Sequence, residues 1–559
     1  MRKVICWIVT GLIVLPIFFG SLDAQELQAG LSPSEEMDKL FDFWNRLDQP
    51  GFAVVVLNGG QVVYQKVFGL ACQEHGVPIA PDSVFNTSTL AQPIVGQAVA
   101  MLEKEGKLSL DDDVRKTIPE IPDFGTPIKL RHLVYQTSGL RDWLPVQQLT
   151  GREMEELTFE RMLKIIQEQK KLLFSPGDRF QYSNSNYDLL AEAIKRTTGR
   201  TFSEWAWESI FKPLKMTRTL FRDNFRSMIE NEAFSYDYTR SEYQRGIDTL
   251  SMIGSHSLHT SITDLAKWLQ YIDAGAAGGS ELLAKMFAAG VLNNGQRSAY
   301  CYGFNVDDGA GRRQVSQTGT WAGSGANLVY LPDQRFGFAV LSNWDYVPAD
   351  AFATDIIGIY LPAEAPVPDT GGTAAADKKS VKVNREKLDQ YVGDYRLRPR
   401  QVFTISRSGD QLTLDFSGQK FPLTALSETD FFLDVADARI TFQKNSDGKV
   451  LQCLWKGGSE IIAPRVVLVK PTPEELNEFA GTYFNEELDL RIRLLLRGDA
   501  LVVQSPGQGD VRLAPDEQDR FSSTSIAMPM IIFQRDAGKL VTGFTIDTDA
   551  VRDLVFRKE

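Results

Sequence analysis

The sequence predicts an α+β domain with a helical middle, followed by two small all-β barrel-like modules. Three observations carry that prediction. Hairpin patterns flank a long helical stretch, so one sheet is assembled from distant parts of the chain. A proline- and glycine-bearing segment breaks the pattern after Leu361, and the remainder of the chain is an internal repeat.

In chain order, Arg2 and Lys3 precede the apolar run Val4–Phe19, and Ser21-Leu22-Asp23-Ala24 ends in a small residue suited to cleavage before Gln25. The run is short for a membrane span and no second one follows. Residues 1–24 therefore read as a secretory signal peptide, and the chain as exported, periplasmic or extracellular, with no transmembrane segment after signal removal. Met37, Leu40, Phe41, Trp44 and Leu47 recur at helical spacing and predict an amphipathic helix over 35–47, stopped by Pro50-Gly51. Ala53–Leu57 and Gln61–Lys66 flank Asn58-Gly59-Gly60, a strong hairpin signal. Asn327–Leu331 and Phe336–Leu341 flank Pro332-Asp333-Gln334-Arg335 as a second hairpin, and Phe352, Ile356 and Ile359 return to helical spacing. These elements bound a main domain at 33–362.

Residues 363–383 hold Pro366, Pro368, Gly371-Gly372 and three consecutive alanines, with little to bury, and read as a linker. Beyond it Leu388-Asp389-Gln390-Tyr391-Val392-Gly393-Asp394-Tyr395 corresponds to Leu476-Asn477-Glu478-Phe479-Ala480-Gly481-Thr482-Tyr483. Each copy continues into short alternating strands, an aromatic (Phe431 or Phe521), Ile-Thr-Phe from Ile440 or Ile-Ile-Phe from Ile531, and a turn at Asn445–Lys449 or Asp536–Lys539. The copies, 384–470 and 471–559, fit two small β modules.

A formal net charge of −12, without a Lys/Arg block, excludes the usual electrostatic footprint of nucleic-acid binding. Past the signal, Cys72, Cys301 and Cys453 are too few and too scattered for a disulfide framework. One pair is conceivable; buried thiols are the simpler reading.

From Val84 the chain runs Val-Phe-Asn-Thr-Ser-Thr-Leu-Ala-Gln-Pro and ends its helix in Gly106-Lys107-Leu108-Ser109-Leu110-Asp111-Asp112. Ile128–Leu133, Gln136-Thr137-Ser138-Gly139-Leu140, Pro176–Asn184 with Tyr182-Ser183-Asn184, Ile210–Leu214 and Gln317-Thr318-Gly319 follow in order. Together these resemble the serine β-lactamase and penicillin-binding-protein family, in particular its class C β-lactamase-related domain, over about 280 residues. The resemblance implies a β-lactamase/transpeptidase-like fold, an antiparallel sheet with a helical lobe. It also places Thr89 at the family's serine, Gln92 at its lysine, Tyr182 and Asn184 in its second motif, and Gln317, Thr318 and Gly319 in its third. Ser88 cannot replace the serine by a one-residue shift, because Ala91 lies three positions on.

Such a serine attacks a carbonyl while the lysine and tyrosine exchange a proton, the lysine's charge favouring a basic tyrosine. Gln92 has no charge and no exchangeable proton of use. Thr89 adds a methyl that restricts χ1, and Gln317 can donate to a substrate carboxylate without a positive charge. Losing one acid–base partner typically costs about 10²–10⁴ in rate. The expectation is a pseudoenzyme whose cleft binds a peptide-like small molecule or cell-wall fragment. Two alternatives stand beside it: an active hydrolase (esterase, D-amino-acid peptidase or β-lactamase) using Thr89 with Tyr182 as base, and an envelope scaffold acting through the β modules. The plainer readings are Thr89 as a helix cap and Tyr182 and Asn184 as packing and capping residues. His256-Ser257-Leu258-His259 places two imidazoles at helical spacing without an accompanying carboxylate, so no metal and no cofactor are called for. Ser209–Lys212, Ser417–Lys420 and Ser446–Lys449 fit Ser-x-x-Lys by chance.

Overall fold

The computed structural model describes residues 31–361 and 380–559, apart from 152–154, 240–241, 309–311, 346–348, 399–400, 417, 437, 458, 506–508, 524, 526–527, 547 and 549–553. The signal-peptide reading and most of the linker reading lie outside the described residues. The chain divides into two compact units, Met1–Gln147 with Arg152–Val367 and Gln148–Gly151 with Pro368–Glu559.

The first unit is organised by a seven-stranded antiparallel sheet. Its strands are β1 (Phe52–Asn58), β2 (Gln61–Phe68), β3 (Tyr300–Cys301), β4 (Phe304–Asp307), β5 (Gln314–Trp321), β6 (Ser324–Leu331) and β7 (Phe336–Ser342), in the order β3-β4-β5-β6-β7-β1-β2. Gly59 and Gly60 turn β1 into β2 with φ of 57° and 83°, the left-handed backbone that a tight hairpin requires. β1 pairs with β7 from Phe52↔Ser342 to Asn58↔Phe336, which joins the two hairpins in one sheet. β1 is buried on both faces. Ala53, Val55 and Leu57 join the core of the helical lobe, whereas Phe52, Val54 and Val56 pack with Met37, Phe41, Phe352 and Ile356. A continuous apolar run is what such a strand needs.

Helices α1 (Pro33–Phe41), α2 (Ala91–Lys104), α3 (Asn184–Thr198), α4 (Ile262–Ala277) and α5 (Ala353–Tyr360) clothe the sheet or fill the lobe. α1 starts two residues before the expected 35–47, at a capping box made by Ser32 and Glu35. It then stops at Phe41 and tightens into a 3₁₀ turn over Asp42–Trp44, leaving Leu47 74% exposed. α2 is buried from Ala91 to Ala100. Gly96 permits this, since a Cβ there would stand 2.0 Å from the Tyr302 carbonyl oxygen. His256 and His259 do not share a helix. Leu258–Thr260 is extended because it completes a three-stranded ladder with Phe85–Asn86 and Leu220–Phe221. Among the described residues no helix is long and apolar enough to cross a membrane.

In the second unit, nine strands from Gly393–Arg398 to Ser459–Val466 form one sheet. Its edge strands, Gln419–Pro422 and Thr424–Ala425, are consecutive in the chain, while Asp394 pairs with Val466, so the sheet is barrel-like, with its two edge strands left unpaired with each other. Eight further strands, Gly481–Asn485 to Val555–Lys558, close a second barrel. The repeat is structural as well as sequential. The Tyr395 hydroxyl donates to Tyr391 O at 2.8 Å, and the Tyr483 hydroxyl to Phe479 O at 2.8 Å. Val383 is buried in the first barrel's core, and Val381 N donates to Ala425 O at 3.0 Å, so these valines, assigned to the linker from sequence, pack with the module. Cys72, Cys301 and Cys453 are free and buried.

Candidate functional site

The site begins at the 3₁₀ turn Ser88–Leu90 that feeds α2. Ser88 has φ 51°, a left-handed conformation that strains a residue with a side chain, and its amide is held by Asn86 Oδ1 at 2.9 Å. The next residue, Thr89, faces β5. Its Oγ1 donates to Thr318 O at 3.0 Å, and Gln317 Nε2 donates to Thr89 O at 3.3 Å. Gly319 makes this approach possible, for a Cβ there would lie 2.4 Å from Thr89 Oγ1 and 2.8 Å from Ser88 Oγ.

Strand alternation decides what β5 offers. Val315, Gln317 and Gly319 are buried, while Thr318 and Thr320 are exposed. Gln317 is 1% exposed, and its Oε1 accepts from Asn305 Nδ2 at 3.3 Å, so its amide is engaged inside the domain. Thr318 donates through Oγ1 to Asn327 Oδ1 at 3.0 Å.

One step into α2, Gln92 is wholly buried. Its Nε2 donates to Tyr182 Oη at 2.5 Å, and its Oε1 accepts from Tyr300 Oη at 2.5 Å and from Gln136 Nε2 at 3.4 Å. Gln136 is anchored in turn, because its Oε1 accepts from Ser183 N at 2.9 Å and Asn186 Nδ2 at 2.5 Å. Tyr182 donates to Asn184 Oδ1 at 3.3 Å. Asn184 Nδ2 donates to Asp142 Oδ2 at 2.8 Å, and Leu144 N donates to Asp142 Oδ1 at 3.0 Å. Asn184 is the first residue of α3, but Ser183 holds the cap position and the Asn184 amide is spent on Tyr182 and Asp142.

The electrostatics are set by burial. Burial pushes the Asp142 carboxyl up to about 6, offset in part by the Leu144 and Asn184 donors. Burial pushes Asp188, on α3, up to about 7 against hydrogen bonds from Ser255 and Trp143. Tyr182 is raised by burial and then by the Asp142 charge, with only partial relief from the hydrogen bond that Gln92 donates. The phenol therefore keeps its proton at neutral pH. His256 and His259 are held down to about 4 by burial, and among the described residues no group of three or more His, Cys, Asp or Glu could hold a metal ion.

The fold thus brings Thr89, Gln92, Tyr182, Asn184, Gln317 and Gly319 together, with Thr318 contributing its backbone carbonyl. Sequence reasoning missed Asp142, Asp188 and Tyr300. Asp142 lies two residues past the Gln136–Leu140 motif segment, which is the signal that could have found it; nothing in the local pattern marks Tyr300 or Asp188.

A family model described as Beta-lactamase matches residues 38–359. The chain belongs to the β-lactamase family. Within this serine hydrolase family the matched part is the first unit's sheet and lobe, and a domain of unknown function, DUF3471, matches 377–463. Among β-lactamase-family relatives, "Penicillin-binding protein 4*" of Bacillus subtilis (strain 168) is 26% identical over 456 residues, 77% of this chain and 98% of the relative. A D-aminopeptidase of Brucella anthropi is 22% identical over 528 residues, 91% of this chain and 95% of the relative. The octameric penicillin-binding protein homologue from Pyrococcus abyssi shares the fold with a TM-score of 0.53 at 20% identity, covering 78% of this chain and 100% of that one. FmtA from Staphylococcus aureus does so at 0.50 and 18%, covering 61% and 92%.

Proposed function

We propose that this β-lactamase-family protein is exported, silent in acyl transfer, and binds a peptide-like or cell-wall-derived ligand in the family cleft. Gln92 carries the reading. At the lysine position stands a neutral amide with its oxygen saturated by Tyr300 and Gln136 and its nitrogen committed to Tyr182. Every proton in this network has a fixed owner, so nothing is poised to take one from Thr89, whose hydroxyl donates to a backbone carbonyl. Retention of a ligand cleft is supported by its lining. Thr89, Gln92 and Gln317 are polar, no large apolar residue fills those positions, and Thr318 remains exposed. Export is supported by the basic, apolar and small-residue order of positions 2–24.

The competing reading, an active hydrolase with Thr89 as nucleophile and Tyr182 as base, is favoured by the hydroxyl that Thr89 keeps at the family's serine position and by the tyrosine kept at 182. Exposure of the purified protein to a fluorescent penicillin and a fluorophosphonate, followed by intact-mass spectrometry, separates the two. The expected result is no adduct after long incubation. A stoichiometric adduct mapped to Thr89 overturns the proposal.

A further inference from the structure

We infer that Asp248 is a positioning residue of the cleft: its one carboxylate brackets both walls, the turn that carries Thr89 and the end of β5, and so sets the opening that a ligand meets. The inference rests on the binding reading above and adds the group that fixes the shape of that site.

The end of β5 needs a hold. Among the described residues β4 pairs only with Gln314, Val315 and Ser316, so Gln317–Trp321 has a ladder on one side alone, toward β6. Along the pleat Gln317, Gly319 and Trp321 share the face turned to Thr89. Trp321 is partly buried there. Its ring packs against His256 with 5.3 Å between centroids, and its Nε1 donates to Asp248 Oδ1 at 2.9 Å, beside Leu250 N at 3.1 Å. The second oxygen serves the opposite wall. Asn86 Nδ2 donates to Asp248 Oδ2 at 3.0 Å, and Arg222 Nη2 donates to the same atom as an ion pair. Asn86 belongs to the three-stranded ladder, and Arg222 directly follows its Leu220–Phe221 strand. Through Oδ1, Asn86 in turn anchors Ser88 N at 2.9 Å, the residue whose left-handed backbone delivers Thr89 to β5. Clearance between the walls is small, since a Cβ on Gly319 would stand 2.4 Å from Thr89 Oγ1, so a slight shift of either wall changes it. A carboxylate offers acceptors on both oxygens, whereas asparagine keeps one; Asp248→Asn must therefore release one wall. Side chains held from behind in this way are what keeps a binding constellation in register.

Two measurements on the full chain test this. In the first, the Trp321 indole N–H is followed by nitrogen-15 NMR, its resonance assigned by its loss in Trp321→Phe. Asn86→Ala removes a donor from the other oxygen and keeps the Arg222–Asp248 pair, and it should shift that resonance. A resonance left in place would mean that the walls do not share the carboxylate, and overturns the inference. The second is calorimetry at neutral pH with acetyl-alanyl-alanine amide, all-L and all-D. Asp248→Asn should weaken the better-bound form roughly tenfold or more. Asp273→Asn is the matched control: Asp273 is also buried and accepts from Tyr330 and Arg335, beside Gly60. It should lower stability yet leave affinity within about twofold. Unchanged affinity in a folded Asp248→Asn protein, or an equal loss in Asp273→Asn, overturns the inference and leaves the binding reading intact. Asn86→Ala takes the place of Asp248→Asn if the latter does not fold. If the parent binds neither form at millimolar concentration, the binding reading falls, and the indole resonance alone decides whether Asp248 brackets the walls.

Discussion

Gln92 is a buried residue whose amide serves two tyrosines of opposite need. Tyr300 requires an acceptor for its proton, Tyr182 receives a donor, and a single carboxamide supplies both. A leucine of similar size would leave both hydroxyls short of a partner, and an unsatisfied buried polar group costs about 1–3 kcal/mol. Gln92→Leu should therefore lower stability by about 2–4 kcal/mol in urea unfolding. Adding Tyr300→Phe to it should recover part of that loss, because the stranded hydroxyl disappears. A double variant less stable than Gln92→Leu by the full cost of Tyr300→Phe alone would mean that the amide does not hold Tyr300. The nucleophile position follows the same logic. Thr89 Oγ1 is tied to Thr318 O across the gap that Gly319 leaves open, which fixes its side chain against β5.

Helix α2 carries Gln92 and can reach its place only because two glycines remove side chains at the crossing. A Cβ on Gly96 would meet Tyr302 O at 2.0 Å, and one on Gly303 would meet Gln92 C at 2.3 Å, in backbone with φ 94°. Overpacking of this kind typically costs about 1–3 kcal/mol, and backbone cannot swing aside as a side chain does. Gly96→Ala should thus fall at or above the top of that range and disturb the Gln92–Tyr300 contact. Gly358→Ala is the matched control: it lies in α5 with nothing within 4 Å of its added Cβ. There alanine should stabilise by about 0.5–1 kcal/mol through helix propensity. Equal effects at the two positions in thermal unfolding would contradict the close approach of α2 to the 301–303 segment.

Across the whole molecule, acid stability is a contest between two sets of buried groups. His132, His256 and His259 are all held down to about 4, chiefly by burial, with the Arg131 and Lys129 charges adding at His132. Their folded values lie below the unfolded value of about 6.5. The stability they contribute is present above that value and is lost as pH falls toward 4. Asp142 and Asp188 act oppositely. Their folded values of about 6 and 7 lie above the unfolded carboxylate value, so the folded state takes up their protons first and gains stability as pH falls through those values. Removing them as Asp142→Asn/Asp188→Asn should therefore make stability decline more steeply between about pH 7 and 4.5 than in the parent. A parallel pair of pH–stability curves would show that these carboxyls are not raised.

Local pattern was enough to read much of this protein. The Asn58-Gly59-Gly60 turn, the Pro332–Arg335 hairpin, the repeat anchored by Tyr395 and Tyr483, and the order of family motifs from Thr89 to Gly319 all follow from spacing and residue type. Hairpin turns and hydrophobic periods act over a few residues. The same reasoning misplaced the end of α1 at 47, because a 3₁₀ turn over Asp42–Trp44 carries the chain out of helical register, and the helical spacing of His256 and His259 is not realised, because a ladder holds Leu258–Thr260 extended. What only the tertiary structure decided is the company each motif residue keeps. Gln317 turns inward because the pleat of β5 alternates its side chains, Tyr300 meets Gln92 because α2 crosses beside β3, and Asp142 accepts from Asn184 in the buried interior. Those partners come from segments far apart in the chain, and burial, which sets the charge state of Asp142, Asp188 and Tyr182, exists only once the segments have packed.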